Sequence, residues 1–265
     1  MMLSWPRGSS RGQFSEIGTH PMSQLDTLVR ICAEMELELP EETIDKLDAF
    51  RSLLIEYNQH TNLTAIRDPL EIEIKLLADS LALLPLIQAE MLRNGREAGT
   101  VIDLGTGAGF PGLPLAIANP ALHVTLVDAT RKKVNFIEHV GQELRLTNIA
   151  PIHARSEEVA HNAEFREQFD IVTARAVASM PALVELCLPF LRIDGLALLT
   201  KGRSISDEVS DARKALDILG GDLFDIWEPD VLELDNTSIV QLRKFKASPS
   251  QYPRSPGTPA NNPIR

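Results

Sequence analysis

Short, continuously apolar runs recur along the chain after Gly99, with longer stretches of helical periodicity between them. An apolar run without polar alternation predicts a strand buried on both faces, as in a parallel sheet covered by helices. The runs predict five strands, at residues 101–104, 124–127, 149–152, 171–174 and 196–200. Helical stretches are predicted near residues 111–118, 131–146, 180–191 and 205–219, and edge strands near 224–227 and 238–245. This order predicts an α/β fold with a doubly wound, mostly parallel sheet.

The segments on either side of this predicted sheet domain (residues 99–247) have a different composition. Residues 23–98 predict a helical cap, with Ser23 as the expected N-cap of its first helix and a third helical stretch from Leu70 to about Arg93. Residues 1–22 lack hydrophobic periodicity and predict a disordered leader. Residues 248–265 contain five prolines and predict a Pro-rich, basic tail that is extended or disordered.

The composition excludes several classes of protein. With 44% hydrophobic and 24% charged residues the chain can bury a sizeable core, and it has no run of about 18 apolar residues that would cross a membrane. Cys32 and Cys187 match neither a disulfide framework nor a zinc site, which favours a reducing cytoplasm. The formal charge of −11 argues against nonspecific coating of nucleic acid. Residues 241–265 nevertheless hold five cations and no acid, so a specific RNA partner stays open.

The strongest functional signal is the segment 103–112, which reads Asp-Leu-Gly-Thr-Gly-Ala-Gly-Phe-Pro-Gly and joins the first strand to the next helix. Glycines let this backbone turn sharply and approach a ligand, and the helix that follows offers free N–H groups. A second acid, Asp128, ends the second strand, where doubly wound folds contact the ribose hydroxyls of an adenosine-containing ligand.

Two adenosine ligands compete for this predicted site. Gly107, Gly109 and Gly112 spell the G-x-G-x-x-G fingerprint of dinucleotide-binding folds, which would indicate NAD and a dehydrogenase. Asp103, however, stands where such folds usually continue an apolar strand, and the order Asp-x-Gly-x-Gly-x-Gly resembles motif I of S-adenosylmethionine-dependent methyltransferases. The sequence therefore favours S-adenosylmethionine as the cofactor.

Absent motifs narrow the chemistry of the methyl acceptor. Methylation of an exocyclic amine usually shows Asn/Asp-Pro-Pro-aromatic after the fourth strand, where this chain has Thr-Ala-Arg-Ala at residues 173–176. Methylation of a pyrimidine carbon needs a cysteine nucleophile, and Cys32 and Cys187 are interpreted more simply as buried apolar residues. The remaining candidates are acceptor atoms that are already nucleophilic, such as a ring nitrogen or an oxygen.

Residues 57–69, Tyr-Asn-Gln-His-Thr-Asn-Leu-Thr-Ala-Ile-Arg-Asp-Pro, resemble the Asn-Leu-Thr…Arg-Asp-Pro signature of the small-subunit ribosomal RNA methyltransferase G family, also called glucose-inhibited division protein B. Similar in type and order are Asp79-Ser80, the glycine loop, residues 175–179, Lys201-Gly202 and residues 252–259. The resemblance implies a class I fold and a bacterial, cytoplasmic enzyme that transfers a methyl group from S-adenosylmethionine to N7 of a guanine in 16S ribosomal RNA of the 30S subunit. Guanine N7 carries a lone pair and no proton, so no catalytic base is expected. No metal and no membrane partner are expected either, and the protein is expected to be a monomer.

The resemblance also implies which residues contact the cofactor. These are Gly105 and Phe110 in the glycine loop, Asp128, Ala129 and Thr130 on the ribose side, Ser156 and Glu157 at the adenine, and Arg175 at the end of the fourth strand.

Basic residues near the carboxyl ends of the predicted strands are the expected RNA contacts, because open α/β sheets bind ligands at that edge. They are Arg131, Lys132, Lys133, Arg155, Arg175, Lys201 and Arg203. The basic stretch from Arg243 to Arg265 is the alternative, and Phe110 and Tyr57 are candidates for base stacking. Two other functions stay open: a methyltransferase of the same fold on another substrate, and a regulatory protein that binds S-adenosylmethionine without catalysis.

Overall fold

A seven-stranded sheet forms the centre of the computed structural model, which describes residues 25–175, 178–202 and 205–265. The strands are β1 (Gly99–Leu104), β2 (Leu122–Asp128), β3 (Ile149–His153), β4 (Phe169–Arg175), β5 (Leu191–Gly202), β6 (Gly221–Trp227) and β7 (Thr237–Lys244). Their spatial order is β3-β2-β1-β4-β5-β7-β6, with β1 to β5 parallel and β7 antiparallel to both of its neighbours. The predicted doubly wound, mostly parallel sheet is confirmed.

One of the two predicted edge strands is not at an edge. β7 lies between β5 and β6 and pairs with both, and most of its side chains are buried. β6, with four exposed residues in its middle, is the edge strand on this side. The sequence could not show this insertion, because the strand order depends on pairing between segments that are distant along the chain.

The helices cover both faces of the sheet. They are α1 (Asp26–Glu34), α2 (Glu41–Thr61), α3 (Pro69–Ile72), α4 (Asp79–Leu81), α5 (Leu84–Arg93), α6 (Gly112–Ala118), α7 (Arg131–Glu143), α8 (Ser156–Val159), α9 (Met180–Cys187), α10 (Ser206–Asp211), α11 (Arg213–Leu219) and α12 (Thr258–Asn261). A π-helical turn, Glu73–Ala78, joins α3 to α4. Ser23, the expected N-cap, lies outside the described residues.

Several of the predicted helical stretches are shorter or interrupted, and the one near 205–219 is divided into α10 and α11. The stretch from Leu70 is divided by the π-helical turn and by a break before α5, which begins with Pro85 in its first turn. A proline lacks the N–H for an interior helical bond and is favoured in the first turn of a new helix. The stretch near 180–191 ends its α-helix at Cys187, and a 3₁₀ turn containing Pro189 leads into β5.

The N-terminal helices share a hydrophobic core with one face of the sheet. Leu28, Phe50 and Leu77 from these helices belong to the same buried cluster as Phe136 of α7 and Ile171 of β4. The opposite face is covered by a second cluster built mainly on α9, α10 and α11. The division of the chain into a cap and a sheet domain at residue 98 stays a prediction, while the apolar contacts run continuously between the two. Within the described residues, none of the helices is long and apolar enough to cross a membrane.

The Pro-rich tail, residues 248–265, is folded against the sheet domain, so the prediction of an extended or disordered segment was wrong. Pro253 and Pro259 are buried, and Tyr252 and Ile264 pack against the second cluster. Arg254 forms an ion pair with Glu185 of α9. The composition of such a segment favours disorder. Here, contacts between its side chains and buried residues elsewhere in the fold outweigh that tendency.

Candidate functional site

The glycine loop between β1 and α6 is a tight turn that only small residues allow. Gly105, Gly107 and Gly109 have φ angles of +66°, +63° and +97°, in the left-handed region that favours glycine. A Cβ atom on Gly109 would lie 2.3 Å from Leu113 Cδ1, so this part of the loop tolerates no side chain. The backbone of the loop therefore defines one wall of the space at the carboxyl end of β1.

Asp103 holds the loop in place from the interior of the sheet. It is fully buried, its Oδ2 accepts a hydrogen bond from Gly112 N at 2.9 Å, and its Oδ1 accepts one from Thr173 Oγ1 at 3.1 Å. Burial raises the pKa of Asp103 to about 6, against the lowering effect of these hydrogen bonds. The acid at the head of the motif therefore braces the loop and β4.

Asp128 joins the glycine loop to the turn after β2. Its Oδ2 accepts a hydrogen bond from Gly107 N at 2.9 Å, and its Oδ1 accepts one from Thr130 N at 2.8 Å. Lys133 Nζ lies 3.8 Å from Oδ2. Each carboxylate oxygen has a second lone pair, so Asp128 can still accept bonds from two ligand hydroxyls.

A cavity of about 450 Å³, which we call the cofactor cavity, opens beside these groups. Seven of the eight residues predicted to contact the cofactor line it: Gly105, Asp128, Ala129, Thr130, Ser156, Glu157 and Arg175. Phe110 does not; it borders a smaller cavity of about 160 Å³ that shares Gly105 and Arg175. Contact between these eight residues and a ligand stays a prediction.

The lining of the cofactor cavity fits an adenosine-bearing ligand with a short tail. Leu104, Leu183 and Leu186 give it apolar walls, while Asp128 and Glu157 provide acceptors for hydroxyl and amino groups. At Gly107, the atom nearest to an added Cβ would be Lys133 Nζ at 3.9 Å, so the loop leaves open space there. These features are compatible with S-adenosylmethionine.

Beyond Arg175, a second cavity of about 620 Å³, the acceptor cavity, lies at the carboxyl ends of β4 and β5. It is lined by Lys75, Asp79, Arg175, Thr200, Lys201, Gly202, Glu208, Glu233, Leu234, Asn236 and Thr237. Most of these side chains carry polar or charged groups. Arg175 borders both cavities, and the two spaces therefore meet at one side chain.

Arg175 is fixed by contacts on three sides. Its Nη1 donates to the Lys75 carbonyl at 3.0 Å and to Asp79 Oδ2 at 3.2 Å, and its guanidinium lies 5.6 Å from the centre of the Phe110 ring. Asp79 is itself held by Thr237 Oγ1, which donates to Oδ1 at 2.7 Å. The roles of Asp79 and Thr237 were not predicted from the sequence; the similarity of Asp79-Ser80 to the family pattern was the only available signal.

The predicted RNA contacts divide into exposed and internally bound side chains. Arg131, Lys132 and Arg155 are exposed and have no partner among the described residues. Lys201 is less available, because its Nζ lies 2.7 Å from Glu208 Oε2. Arg203 lies outside the described residues.

Of the two aromatic candidates for base stacking, Phe110 is buried and Tyr57 is half-buried. Phe110 is 5% exposed, with its ring centre 5.1 Å from that of Phe50. Tyr57 packs against Phe136 and His139 of α7. The position of these rings along the sequence had suggested a ligand role, but both rings pack against other aromatic side chains.

Both cysteines are buried, as predicted. Cys32 and Cys187 are fully covered, and burial raises the pKa of both thiols, that of Cys32 to about 12. A thiol in such surroundings is not a nucleophile near pH 7. Within the described ranges, no three His, Cys, Asp or Glu side chains are grouped as ligands for a metal ion.

Comparison with known proteins matches residues 43–226 to the family model of GidB, rRNA small subunit methyltransferase G. A ribosomal RNA small subunit methyltransferase G from Desulforamulus reducens is 42% identical over 239 residues, which cover 90% of this chain and 97% of the relative. The protein of the same name from Clostridium botulinum (strain Eklund 17B / Type B) is 40% identical over 245 residues, 92% of this chain and 100% of the relative. Motifs, fold and similarity over nearly the whole length agree, and the chain belongs to the ribosomal RNA small subunit methyltransferase G (GidB) family.

Proposed function

We propose that this protein transfers a methyl group from S-adenosylmethionine to N7 of a guanine in 16S ribosomal RNA of the small subunit. The observation that carries the proposal is the meeting of the cofactor cavity and the acceptor cavity at Arg175. Such a junction supports the transfer of a group between two bound molecules. Membership of a ribosomal RNA methyltransferase family identifies the class of the acceptor.

On the cofactor side, the chain supplies binding and orientation. S-adenosylmethionine, when bound, supplies an electrophilic methyl group on a sulfonium. Asp128 accepts from the ribose hydroxyls, Glu157 from the adenine amino group, and the backbone after Gly105 follows the methionine part. Leu183 and Leu186 add apolar walls to this cavity.

On the acceptor side, the reaction requires alignment and no proton transfer to the protein. Guanine N7 is an acceptor with a free lone pair, so the chain needs no general base to activate it. Correct proximity and orientation can lower a barrier by on the order of 7–11 kcal/mol at best. The rigid contacts of Arg175 serve this alignment, and Arg175 acts as a binding residue.

The pairing of Arg175 with Asp79 suits an acceptor that becomes positive during the transfer. The purine ring gains positive charge as N7 forms its new bond, and an unpaired cation beside it would oppose this. Asp79 Oδ2, 3.2 Å from Arg175 Nη1, offsets that charge. We therefore assign Asp79 a positioning role for Arg175.

The RNA contacts that we propose are few and local. Arg131 and Lys132 begin α7 directly after Thr130, which lines the cofactor cavity, and Arg155 precedes α8 at the same edge. These exposed cations can bind phosphates of the RNA despite the net charge of −11. We further infer that the protein works as a monomer in the cytoplasm, on the 30S subunit.

The test is methyl transfer from labelled S-adenosylmethionine to purified 30S subunits, with free 16S RNA and bulk protein as parallel acceptors. We expect one methyl group on 16S RNA, located at guanine N7 by mass spectrometry. A methyl group on an exocyclic amine would contradict the proposed acceptor atom. Cofactor binding without transfer to any of the three acceptors would instead favour a regulatory protein.

A substitution tests the cofactor side separately. Asp128→Ala should weaken binding of the product S-adenosylhomocysteine by roughly 1.5–3 kcal/mol, because hydrogen bonds to a charged group are lost. The measurement is titration calorimetry, and Glu158→Ala, which removes an exposed acid next to the cavity, is the matched control. Equal affinities for the two variants would show that Asp128 does not contact the ribose.

A further inference from the structure

The tail, residues 248–265, forms part of the wall of the cofactor cavity. Gly257 and Ala260 line this cavity together with residues of the sheet domain. Gly257 N donates a hydrogen bond to Glu157 Oε1 at 2.8 Å, although the two residues are 100 positions apart in the chain. The tail therefore touches the carboxylate that we assign to the adenine amino group.

The hydrogen bond from Gly257 fixes one half of the Glu157 carboxylate. Glu157 is 8% exposed, and its Oε2 has no hydrogen bond within the described part of the chain. With Oε1 bound to the tail, the rotation of the carboxylate is restricted and Oε2 stays available as an acceptor. An acceptor in this position complements a donor on the ligand, such as the 6-amino group of a purine.

Arg254 anchors the tail at a second, deeper point. Its Nε and Nη2 donate to Glu185 Oε1 and Oε2 at 2.9 and 2.6 Å, and its backbone N donates to Oε1 at 2.8 Å. Glu185 is fully buried in α9, an otherwise apolar helix. An unpaired carboxylate there would be costly, so α9 and the tail depend on each other.

Two further side chains hold the backbone of the tail upstream of Arg254. Arg166 donates to the carbonyl oxygens of Ser248, Pro249 and Tyr252 at 2.9, 3.1 and 2.9 Å. His161 Nε2 lies 2.8 Å from the Pro253 carbonyl oxygen. The approach of the tail to the cavity is thus fixed at several points, and Gly257 is brought to Glu157 from a defined direction.

We infer that the tail is a positioning element of the cofactor site, which orients Glu157 so that the cavity selects 6-aminopurine ligands over 6-oxopurine ligands. This inference rests on the proposed function, because it takes the cavity to bind the adenosine part of S-adenosylmethionine. Arg254 acts through Gly257 and Glu157 and does not itself line the cavity.

The experiment compares two ligands, S-adenosylhomocysteine and its 6-oxo analogue S-inosylhomocysteine, by titration calorimetry on the full chain. The wild-type protein should prefer the amino ligand, because Glu157 Oε2 can accept a hydrogen bond from the 6-amino group. The 6-oxo group of the analogue is itself an acceptor and cannot donate to Oε2. Glu157→Gln should reduce or reverse this preference, since its amide can donate to the oxo group. Loss of the preference without loss of the fold is a result that a merely structural role of Glu157 would not give.

The ion pair of Arg254 with Glu185 is tested with Arg254→Ala and with the double variant Glu185→Met/Arg254→Ala. The double variant also removes the buried charge of Glu185, in case the single variant does not fold. Both should bind S-adenosylhomocysteine about tenfold more weakly, equivalent to one lost hydrogen bond to a charged group, and bind the oxo analogue almost unchanged. Arg254→Lys should restore part of the preference. Arg265→Ala, an exposed tail residue, is the control and should behave as wild type.

The outcomes separate this inference from the proposed function. If the folded double variant keeps both the affinity and the preference of the wild type, the tail does not position Glu157 and the inference is overturned. If the wild-type protein binds neither ligand, the proposed function fails and the inference fails with it. If it binds them as expected but does not methylate 30S subunits, the inference stands and the proposed transfer to 30S subunits fails.

Discussion

Two basic regions of the molecule differ in whether their cations are exposed or paired with acids inside the protein. The basic turn, residues 131–133, holds three cations at the start of α7, and Arg131 and Lys132 point into solvent without a partner among the described residues. The C-terminal basic stretch, residues 241–265, holds five cations and no acid, yet most of this charge is bound internally. A count of charges along the sequence therefore does not measure the charge that is available to phosphates.

The partners of the C-terminal cations lie far away in the sequence. Arg243 pairs with Glu90 and Asp194, and the fully buried Lys244 pairs with Glu167. Arg254 forms an ion pair with the buried Glu185, as described above. Each of these ion pairs joins the stretch to a distant part of the chain. The C-terminal stretch therefore contributes to the fold, and the basic turn keeps the exposed cations that we propose for RNA contact.

The largest effect is expected from reversing the exposed cations of the basic turn. Arg131→Glu/Lys132→Glu should reduce methylation of 30S subunits by about 100-fold or more at physiological salt, because two phosphate contacts become repulsive. The affinity for S-adenosylhomocysteine should stay nearly unchanged. Single-turnover rates over a range of salt concentrations measure the effect, and the salt dependence should become shallower.

The matched control for this variant is Lys246→Glu/Arg265→Glu, which reverses two exposed cations of the C-terminal stretch. If this control reduced methylation as strongly as the variant in the basic turn, the contrast between the two regions would be wrong. The C-terminal stretch would then be the better candidate for RNA contact.

A smaller effect, on stability, is expected from the internal pairs. Arg243→Ala removes a guanidinium that donates to both oxygens of Glu90, which is 4% exposed, and should lower the free energy of unfolding by about 2 kcal/mol. Arg93 still bonds Glu90, which limits the loss. Urea denaturation measures it, and Lys246→Ala should stay within about 0.5 kcal/mol of the wild type.

The same cluster should also make the stability depend on pH. Burial tends to raise the pKa of Glu90, but the hydrogen bonds from Arg93 and Arg243 outweigh it and lower the pKa to about 2 from an ordinary value of 4.5. A lowered pKa contributes stability that is fully present above pH 4.5 and is lost as the pH falls through about 2. The difference in unfolding free energy between wild type and Glu90→Gln should shrink over that window. Glu97 is exposed, so Glu97→Gln should change the unfolding free energy little. If its difference from the wild type changed with pH as that of Glu90→Gln does, the ion pairs of Glu90 would not be the cause.

Local patterns predicted most of the fold and of the candidate site. The strands follow from apolar runs, and the glycine loop and Asp128 follow from strand ends that a parallel sheet brings to one edge. The interior place of β7 and the docked tail do not follow, because they depend on contacts such as Arg254 to Glu185, 69 residues apart. Phe110 and Tyr57 illustrate the same limit, since whether a ring faces a ligand or a neighbour depends on packing.

Arg175, which borders both cavities, places an evolutionary constraint on any change of acceptor. If Arg175 contacts both bound molecules, as we propose, a substitution there would alter both binding steps at once. A change of the acceptor base would then need compensation on the cofactor side. Other residues, such as Asn236 and Thr200, line only the acceptor cavity, and substituting them would not change the cofactor cavity. Divergence in what is methylated is therefore expected to accumulate at those positions while Arg175 stays fixed.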